Sequence, residues 1–448
     1  VIGGGGGGGT TNIQEPTYTS SSYITKTQID EEYKYIMFEC QDYIQFREDE
    51  TPYSWQEAYD EAIANGTRMP TKTELLSYLS TNNNQPLYNE DIWVWVVANN
   101  AIGKDAIHIG VHPAGAHYVG KSHYDNYGGT SFYQQTTGDY VRIYAEISYY
   151  SITFPENTEC DILVVGGGGG GGGDIGGGGG AGGVSYLTGG VIPAGTFTVK
   201  VGNGGAGSTE NGVNGNNSEF KDVNGNGITT YGGGGGAAGF NGTASNGANG
   251  GSGGGGGAYQ SFNPSGGSAI SGTFNGTYTY TSITHYGNAG GGDDTSNWEA
   301  GGGGGAGGAG STASSGTGTG GNGIQINITG NNNYWGGGGG AGIHGDYGPA
   351  NGGLGGGGGG GASNTGTYGS GGTGGITDGQ TATNEVGGNA GEMTGGGGGG
   401  GAWSGFTGGN GGSGIVIIRY KYTISAGGNV QANWTETTTT AESYILNK

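Results

Sequence analysis

The sequence predicts a multi-domain protein in which an α+β domain precedes a bundle of polyglycine II helices on a small β base. Three observations carry that prediction. Of 448 residues, 120 are Gly, gathered into runs such as Gly166 to Gly173, Gly355 to Gly361 and Gly395 to Gly401. Only 31% of the residues are apolar and 11% charged, so an ordinary apolar core cannot serve the whole chain. Yet 29 Tyr and 7 Trp argue against disorder, whose composition is poor in aromatics. Collagen is excluded by the absence of a Gly-X-Y period and by a content of only 9 Pro.

Glycine runs usually read as flexible linkers, because Gly has the most backbone freedom to lose on ordering. Their repetition within one block, with five-glycine runs beginning at Gly176, Gly232, Gly253, Gly301 and Gly336, favours a steric reading in which backbones approach too closely for a Cβ. A helix of this type has about three residues per turn and rises about 3.1 Å per residue, so Gly166 to Gly173 would span about 25 Å. It has no internal hydrogen bonds, and neighbouring helices must satisfy its N–H and C=O groups. Uninterrupted runs suit the interior. Gly-Gly-X runs such as Gly307 to Ser311, Gly371 to Ile376 and Gly408 to Ser413 suit the outside.

Four segments follow in order: an arm and linker at 1–29, the α+β domain at 30–148, the glycine-rich domain at 149–424 and a tail at 425–448. In the arm, Val1-Ile2 runs into Gly3 to Gly9, a miniature of the strand-to-glycine entry at Gly166. Val1, Ile2, Gly3 and Gly9 mark it as a candidate assembly element that inserts into a neighbouring bundle and polymerises head to tail. A frayed terminus is the alternative.

In the α+β domain, Lys34 to Phe38 and Asp42 to Phe46 read as strands. Ser54-Trp-Gln-Glu57 and Thr71-Lys-Thr-Glu74 are capping boxes that open helices. Ile92 to Val97, Ala106 to Gly110 and Tyr140 to Tyr144 read as further strands. Trp55-x-x-Ala58, Gly66-Thr-Arg-Met-Pro-Thr71 with Glu74, and Tyr140-Val-Arg142 resemble the C-type-lectin-like superfamily. That resemblance implies an α+β lectin-like fold. In place of the calcium lectins' motifs there is only Gln85-Pro-Leu87, without a Trp-Asn-Asp partner, so calcium-dependent sugar binding is not implied.

In the glycine-rich domain, Ile147 to Phe154 and Asp161 to Val165 read as a hairpin about Pro155 to Glu159. Thr196 to Val201 alternates as a half-buried strand, and Ile415 to Ile418 closes the domain. Asp161-Ile-Leu-Val-Val-Gly166, Thr198-Val-Lys-Val-Gly-Asn-Gly-Gly205 and Gly411-Gly-Ser-Gly-Ile-Val-Ile-Ile-Arg-Tyr420 resemble the glycine-rich domain of phage and virus tail-fibre adhesins and of large bacterial surface proteins. The resemblance implies a polyglycine II sandwich whose connecting loops present a receptor-binding surface. The tail, with Thr437 to Thr440 and Tyr444 to Leu446, reads as a strand that docks elsewhere or as a disordered end.

Net charge is −22, and between Gly166 and Gly414 only Lys200 and Lys221 are basic, which excludes a phosphate-neutralising stripe and so nucleic acid as a partner. No apolar run reaches the roughly 18–20 residues of a membrane span, so no membrane insertion is expected. The strand into Gly166 imitates a dinucleotide fold but lacks the helix that would meet pyrophosphate. Gly250-Gly-Ser-Gly-Gly254 matches a nucleophile elbow without its strand-turn-helix setting or a His partner. Neither catalytic nor cofactor residues are assigned, and the chain reads as a non-enzyme.

His108, His112, His117 and His123 are weak metal candidates, with surface decoration as the alternative. Cys40 and Cys160 bracket the α+β domain and would pair in an oxidising compartment or remain as structural thiols. Sequons at Asn65, Asn216, Asn241, Asn275, Asn327 and Asn433 permit N-glycosylation. Aromatic residues in loops between glycine runs, namely Tyr259, Tyr286, Trp298, Tyr334, Trp335, Tyr347, Trp403 and Phe406, suit sugar or protein recognition, or packing between subunits.

The expectation is a non-enzymatic structural and adhesive protein of an extracellular or virion-surface fibre that self-assembles into an oligomer or filament. Its second form is an adhesin tip that binds a cell-surface glycan or protein receptor. A third form, an ice-binding protein, predicts a flat Ala or Thr face.

Overall fold

The computed structural model describes residues 14–40 except 19–20, 22–23 and 31; strands at 44–47, 92–97, 104–111, 117–122 and 140–145; and residues 148–422 except 241–242, 259–262, 294–299, 314–317, 346–347 and 364–366. The strands are β1 (Thr17–Tyr18), β2 (Ile24–Gln28), β3 (Tyr33–Glu39), β4 (Ile44–Arg47), β5 (Ile92–Val97), β6 (Lys104–Val111), β7 (His117–Ser122) and β8 (Tyr140–Ala145). Then come β9 (Ser148–Phe154), β10 (Thr158–Val165), β11 (Val184–Ile192), β12 (Gly195–Val201), β13 (Ser218–Asp222), β14 (Gly227–Thr230), β15 (Gly239–Phe240), β16 (Thr243–Ala244) and β17 (Thr273–Phe274). The last are β18 (Ser282–Tyr286), β19 (Ile324–Ile326), β20 (Asn333–Trp335), β21 (Ile343–His344), β22 (Ala362–Ser363) and β23 (Ile415–Lys421).

Two 6-stranded antiparallel sheets, β1-β9-β12-β13-β14-β17 and β18-β11-β10-β23-β3-β2, face each other across an apolar layer. Phe154, Phe197 and Phe220 of the first sheet meet Ile36, Ile162, Val164 and Ile418 of the second, with Phe197 stacked on Phe220 at a ring separation of 4.8 Å. The back of the second sheet is covered too, because Leu163, Val165, Ile415 and Ile417 pack on Ile326, Ile328 and Trp335. Burial on both faces is why Ile162 to Val165 and Ile415 to Ile418 are continuous apolar runs and not alternating ones.

From this sandwich the glycine runs extend as threads. Gly166, Gly169 and Gly172 donate to the carbonyls of Gly183, Gly180 and Gly177; Gly167, Gly170 and Gly173 donate to Asn216, Val213 and Glu210; Gly168 and Gly171 donate to Gly412 and Gly409. The partner therefore changes at each residue and returns every third, the signature of a helix with three residues per turn. Each series counts down by three, so these neighbours run antiparallel. The same thread accepts bonds from Gly205, Gly233 and Gly398, and its backbone is surrounded by other backbones.

Several expectations are corrected. The α+β class is overturned: the described residues are all-β, with mostly antiparallel sheets and no α-helix. The C-type-lectin-like fold falls with it, since β4-β8-β5-β6-β7 is a five-stranded sheet; the helices expected at Ser54 and Thr71 lie outside the described residues. The base is not small but a two-sheet sandwich. The expected hairpin of β9 and β10 is a crossover, because β9 pairs with β1 and β12 whereas β10 pairs with β11 and β23. The boundaries drawn at 29 and 148 also shift. β3, expected in the first domain, pairs along its length with β23, from Tyr33 opposite Lys421 to Glu39 opposite Ile415. Residues 41–147 are thus inserted between two strands of the sandwich.

Candidate binding surface

The thread that leaves β10 turns and comes back to β11, and its turn lies at the end of the bundle away from the sheets. The first turn is Asp174–Ile175, and both residues hold positive φ, 53° and 58°. For a β-branched residue this is strained backbone. Ile175 is held there by burial among Ala258, Ala300, Ala341, Ile343 and Ala362, a small apolar plug under the loops. Asp174, itself buried, accepts the backbone N–H of Ser404 at 2.9 Å and of Gly405 at 3.4 Å, and its own N–H reaches the carbonyl of Phe406 at 3.3 Å. The clamped turn is strained at Ser404, with φ of 79°, while Gly405 takes its φ of 78° without steric cost.

Trp403 stands on this turn with 46% of its surface exposed. Its ring meets that of His344 edge to face at 4.2 Å, and His344 Nδ1 lies 3.0 Å from Ser363 Oγ on the next loop. Burial lowers the pKa of His344 below the ordinary imidazole value. Acidic groups dominate this end, with Asp174, Glu210 and Glu385 on its turns, whereas Lys200 and Lys221 lie in β12 and β13 of the sandwich.

The expected contact aromatics divide by position. Trp403 and Phe406 are at the loop end. Trp335 is not a contact residue: it is fully buried, its Nε1 donates to the Ile326 carbonyl at 3.1 Å, and it anchors the back of the second sheet. Tyr286 and Tyr334 sit at the sandwich end in β18 and β20, with Tyr286 packed against the same cluster. Tyr259, Trp298 and Tyr347 lie outside the described residues, as do Val1, Ile2, Gly3 and Gly9.

The Cys40–Cys160 disulfide is overturned. Cys160 is opposite Tyr420 and Glu39 opposite Ile415, so the two cysteines lie near opposite ends of β23. That is about 17 Å or more of strand, against the roughly 7 Å a disulfide spans. Cys40 Sγ instead contacts Asn203 Oδ1, and burial raises the Cys160 thiol.

His108 is opposite Trp93 and His117 opposite Val111, so the two are not cross-strand partners; His112 and His123 lie outside the described residues. Among the described residues no three metal-ligating side chains gather, and no helix is long and apolar enough to cross a membrane. Asn275 and Asn327 are exposed at the sandwich end, but the sequon at Asn216 includes Ser218, fully buried and donating to the Val165 carbonyl at 2.7 Å. Asn65, Asn241 and Asn433 lie outside the described residues. Ser252 of the elbow-like motif is buried inside the bundle.

Sequence reasoning missed Asp174, Ile175 and Ser363, although the interruption of two glycine runs by Asp-Ile signals a turn. It also missed the role of Asn. Asn211, Asn214 and Asn217 accept the N–H groups of Ala238, Gly235 and Gly232 at 2.8, 2.7 and 3.0 Å. Asn351 does the same for Ser370 and Asn410 for Gly207, both at 2.9 Å. Amides of one thread thus supply acceptors to the thread beside it, and the signal is Asn at every third position.

Compared with known families, residues 145–388 match the model described as a glycine-rich domain, more than half of the 448 residues. No curated protein matches the chain.

Proposed function

The chain belongs to the glycine-rich domain family, and from that premise we propose that it is a non-enzymatic adhesive display protein of an extracellular or virion-surface fibre, with the loop end of its bundle as the contact surface. The observation that carries this reading is the polarity of the molecule. Gln14 binds Glu156 in the turn between β9 and β10, and Tyr422 follows β23 out of the sandwich, its N–H bonded to Glu32. The chain therefore enters and leaves the described body at the sandwich end, opposite the loops. Attachment to a fibre or to further copies belongs at that end, and target contact at the other. The threads between them, saturated with backbone hydrogen bonds, serve as a stiff spacer.

Orientation tests this. Beads coupled through a tag at Lys448 should adhere to some of a panel of bacterial and eukaryotic cell surfaces. Beads coupled through Glu385→Cys at the loop end should not, and the native cysteines do not compete because both are buried. Equal adhesion in both orientations, or none in either, overturns the reading.

A further inference from the structure

We infer that Asn224 is a site of spontaneous covalent modification, the deamidation of Asn224-Gly225, and that the Asn-Gly pairs of the glycine threads are spared the same chemistry by the way the bundle is bonded. An Asn followed by Gly is the pair most prone to this reaction, because Gly has no side chain to shield its nitrogen. The Gly nitrogen attacks the Asn Cγ and closes a succinimide through a new C–N bond. The Cγ–Nδ2 bond breaks, and ammonia leaves with the Gly amide proton. Water then opens the ring at either carbonyl, to Asp or to isoAsp, in which the chain runs through Cβ. Two arrangements prevent ring closure: a carboxamide that cannot swing toward its own backbone, and a Gly nitrogen already committed to an acceptor.

The threads have both. Asn246 Oδ1 accepts the N–H of Ser265 at 2.9 Å while Gly247 donates to the Ser265 carbonyl at 2.9 Å, so one residue of the next thread holds the two groups that would have to meet. Asn249-Gly250 grips Ser268 in the same way, Asn322-Gly323 grips Leu354 and Asn351-Gly352 grips Ser370. At Asn211, Asn214 and Asn410 the carboxamide takes the N–H of Ala238, Gly235 and Gly207, and the following Gly donates to the carbonyls of Gly236, Gly233 and Gly205. Ring closure at any of these would break two bonds to a neighbouring thread at once. Elsewhere, a single 2.7 Å bond from the Gly227 N–H to Asn275 Oδ1 ties up both the nucleophile of Asn226-Gly227 and the carboxamide of Asn275-Gly276, and Asn203 Oδ1 is in contact with Cys40 Sγ.

Asn224-Gly225 differs. Both residues are exposed in the turn between β13 and β14, and a Cβ built on Gly225 would meet nothing within 4 Å. The Asn224 side chain reaches the Asp222 carboxylate, a bond that its amide nitrogen donates, and among the described residues no thread holds its oxygen. The Gly225 N–H donates to the Asp222 carbonyl at 3.0 Å, a bond inside the turn itself. Local opening of one exposed turn frees that nitrogen without disturbing another strand. The product adds a negative charge beside Asp222 and, as isoAsp, one more backbone carbon to a turn of the sandwich.

The test incubates the full chain at mildly alkaline pH, folded in buffer and unfolded in urea, and reads each Asn-Gly pair by mass spectrometry after peptic digestion in acid, where the reaction is slow. In the folded chain Asn224 should deamidate at least about tenfold faster than any pair held by a neighbouring thread, with both Asp and isoAsp in the product. In urea the thread pairs should rise to within a few-fold of Asn224, because every pair then has the same freedom. Asn224 reacting no faster than the thread pairs in the folded chain overturns the inference. So does another described Asn-Gly pair that outruns Asn224 there, or a set of thread pairs that react equally fast folded and unfolded.

Discussion

A Cβ built on Gly169 would lie 2.2 Å from the carbonyl oxygen of Gly234 and 2.6 Å from its carbon, both backbone atoms that cannot step aside. Gly169 also donates to Gly180 at 2.8 Å and accepts from Gly398 at 2.9 Å, so any shift to relieve the clash strains bonds on two further threads. Overpacking costs about 1–3 kcal/mol and each strained bond about 1 kcal/mol, so Gly169→Ala should destabilise by roughly 3 kcal/mol or more in urea denaturation. At Gly308 the nearest atom to a Cβ is 3.7 Å away, and Gly308→Ala should be neutral or stabilising by a few tenths of a kcal/mol. A second residue-scale prediction concerns His285. Thr230 Oγ1 donates to Ser185 Oγ at 2.7 Å, leaving the Ser185 proton for His285 Nδ1, also at 2.7 Å, which requires a neutral ring. Burial holds the His285 pKa below its ordinary value, so on acidification the unfolded chain takes up the proton first. The stability contributed is full above about pH 6.5 and is lost as pH falls toward the lowered folded value. The melting temperature should accordingly drop as the pH falls below about 6.5, and His285→Asn, which keeps an acceptor without titrating, should flatten part of that drop.

At the scale of the element, one N–H in three along the buried thread 232–238, at Gly232, Gly235 and Ala238, meets a side-chain and not a backbone acceptor. Asn211, Asn214 and Asn217 supply the missing acceptor to the adjacent thread at each turn. Changing all three to Ala should cost about 1 kcal/mol per bond and leave unpaired N–H groups that template another chain, seen as lower urea midpoints and increased light scattering. The three Asp variants keep an acceptor oxygen and should hold stability near wild type. This element was only half legible in the sequence. Interior threads could be read because steric exclusion of every Cβ leaves nothing but Gly, and β10, β12 and β23 could be read from their apolar residues. The pairing of β9 and β10 was misread because a short polar turn looks the same whether it joins neighbours in one sheet or crosses to the next. Polar strands such as β13 and β18 carried little signal, since what fixes them is a neighbour distant in sequence. At the candidate surface Trp403 was legible as a loop aromatic, but Trp335 was indistinguishable from it until its burial was known. Asp174 carried a turn signal between two glycine runs, but its clamping role was not legible, because its partners Ser404 and Gly405 lie more than two hundred residues away.

For the whole molecule, the Cys40-to-Ser148 interval is where sequence order and architecture diverge most. The strand before it, β3, and the strand after it, β9, belong to opposite sheets of the sandwich, and Tyr150 donates its hydroxyl to the Glu39 carbonyl at 2.6 Å. The two strand ends are thus adjacent without help from what lies between. Within the interval, β4, β5, β6, β7 and β8 pair with one another and form a sheet of their own. The sandwich draws its edge strands β1 and β2 from upstream and its central strand β23 from downstream, so its hydrogen-bond ladders close without the inserted segment. Loop-closure entropy also favours a short connection, since each halving of loop length recovers only about 0.6 kcal/mol but in the stabilising direction. Replacing residues 41–147 by a Gly-Ser linker of several residues should therefore leave one cooperative unfolding transition, with a midpoint at or slightly above that of the intact chain. By contrast, removing residues 14–40 as well takes away β2 and β3 and exposes the edge of β23, including Ile418 and Tyr420, to water. That shorter variant should lose the transition or aggregate. Calorimetry of the two variants checks the assignment, and a collapse of the first variant would mean that the inserted segment is part of the body and not a guest on it.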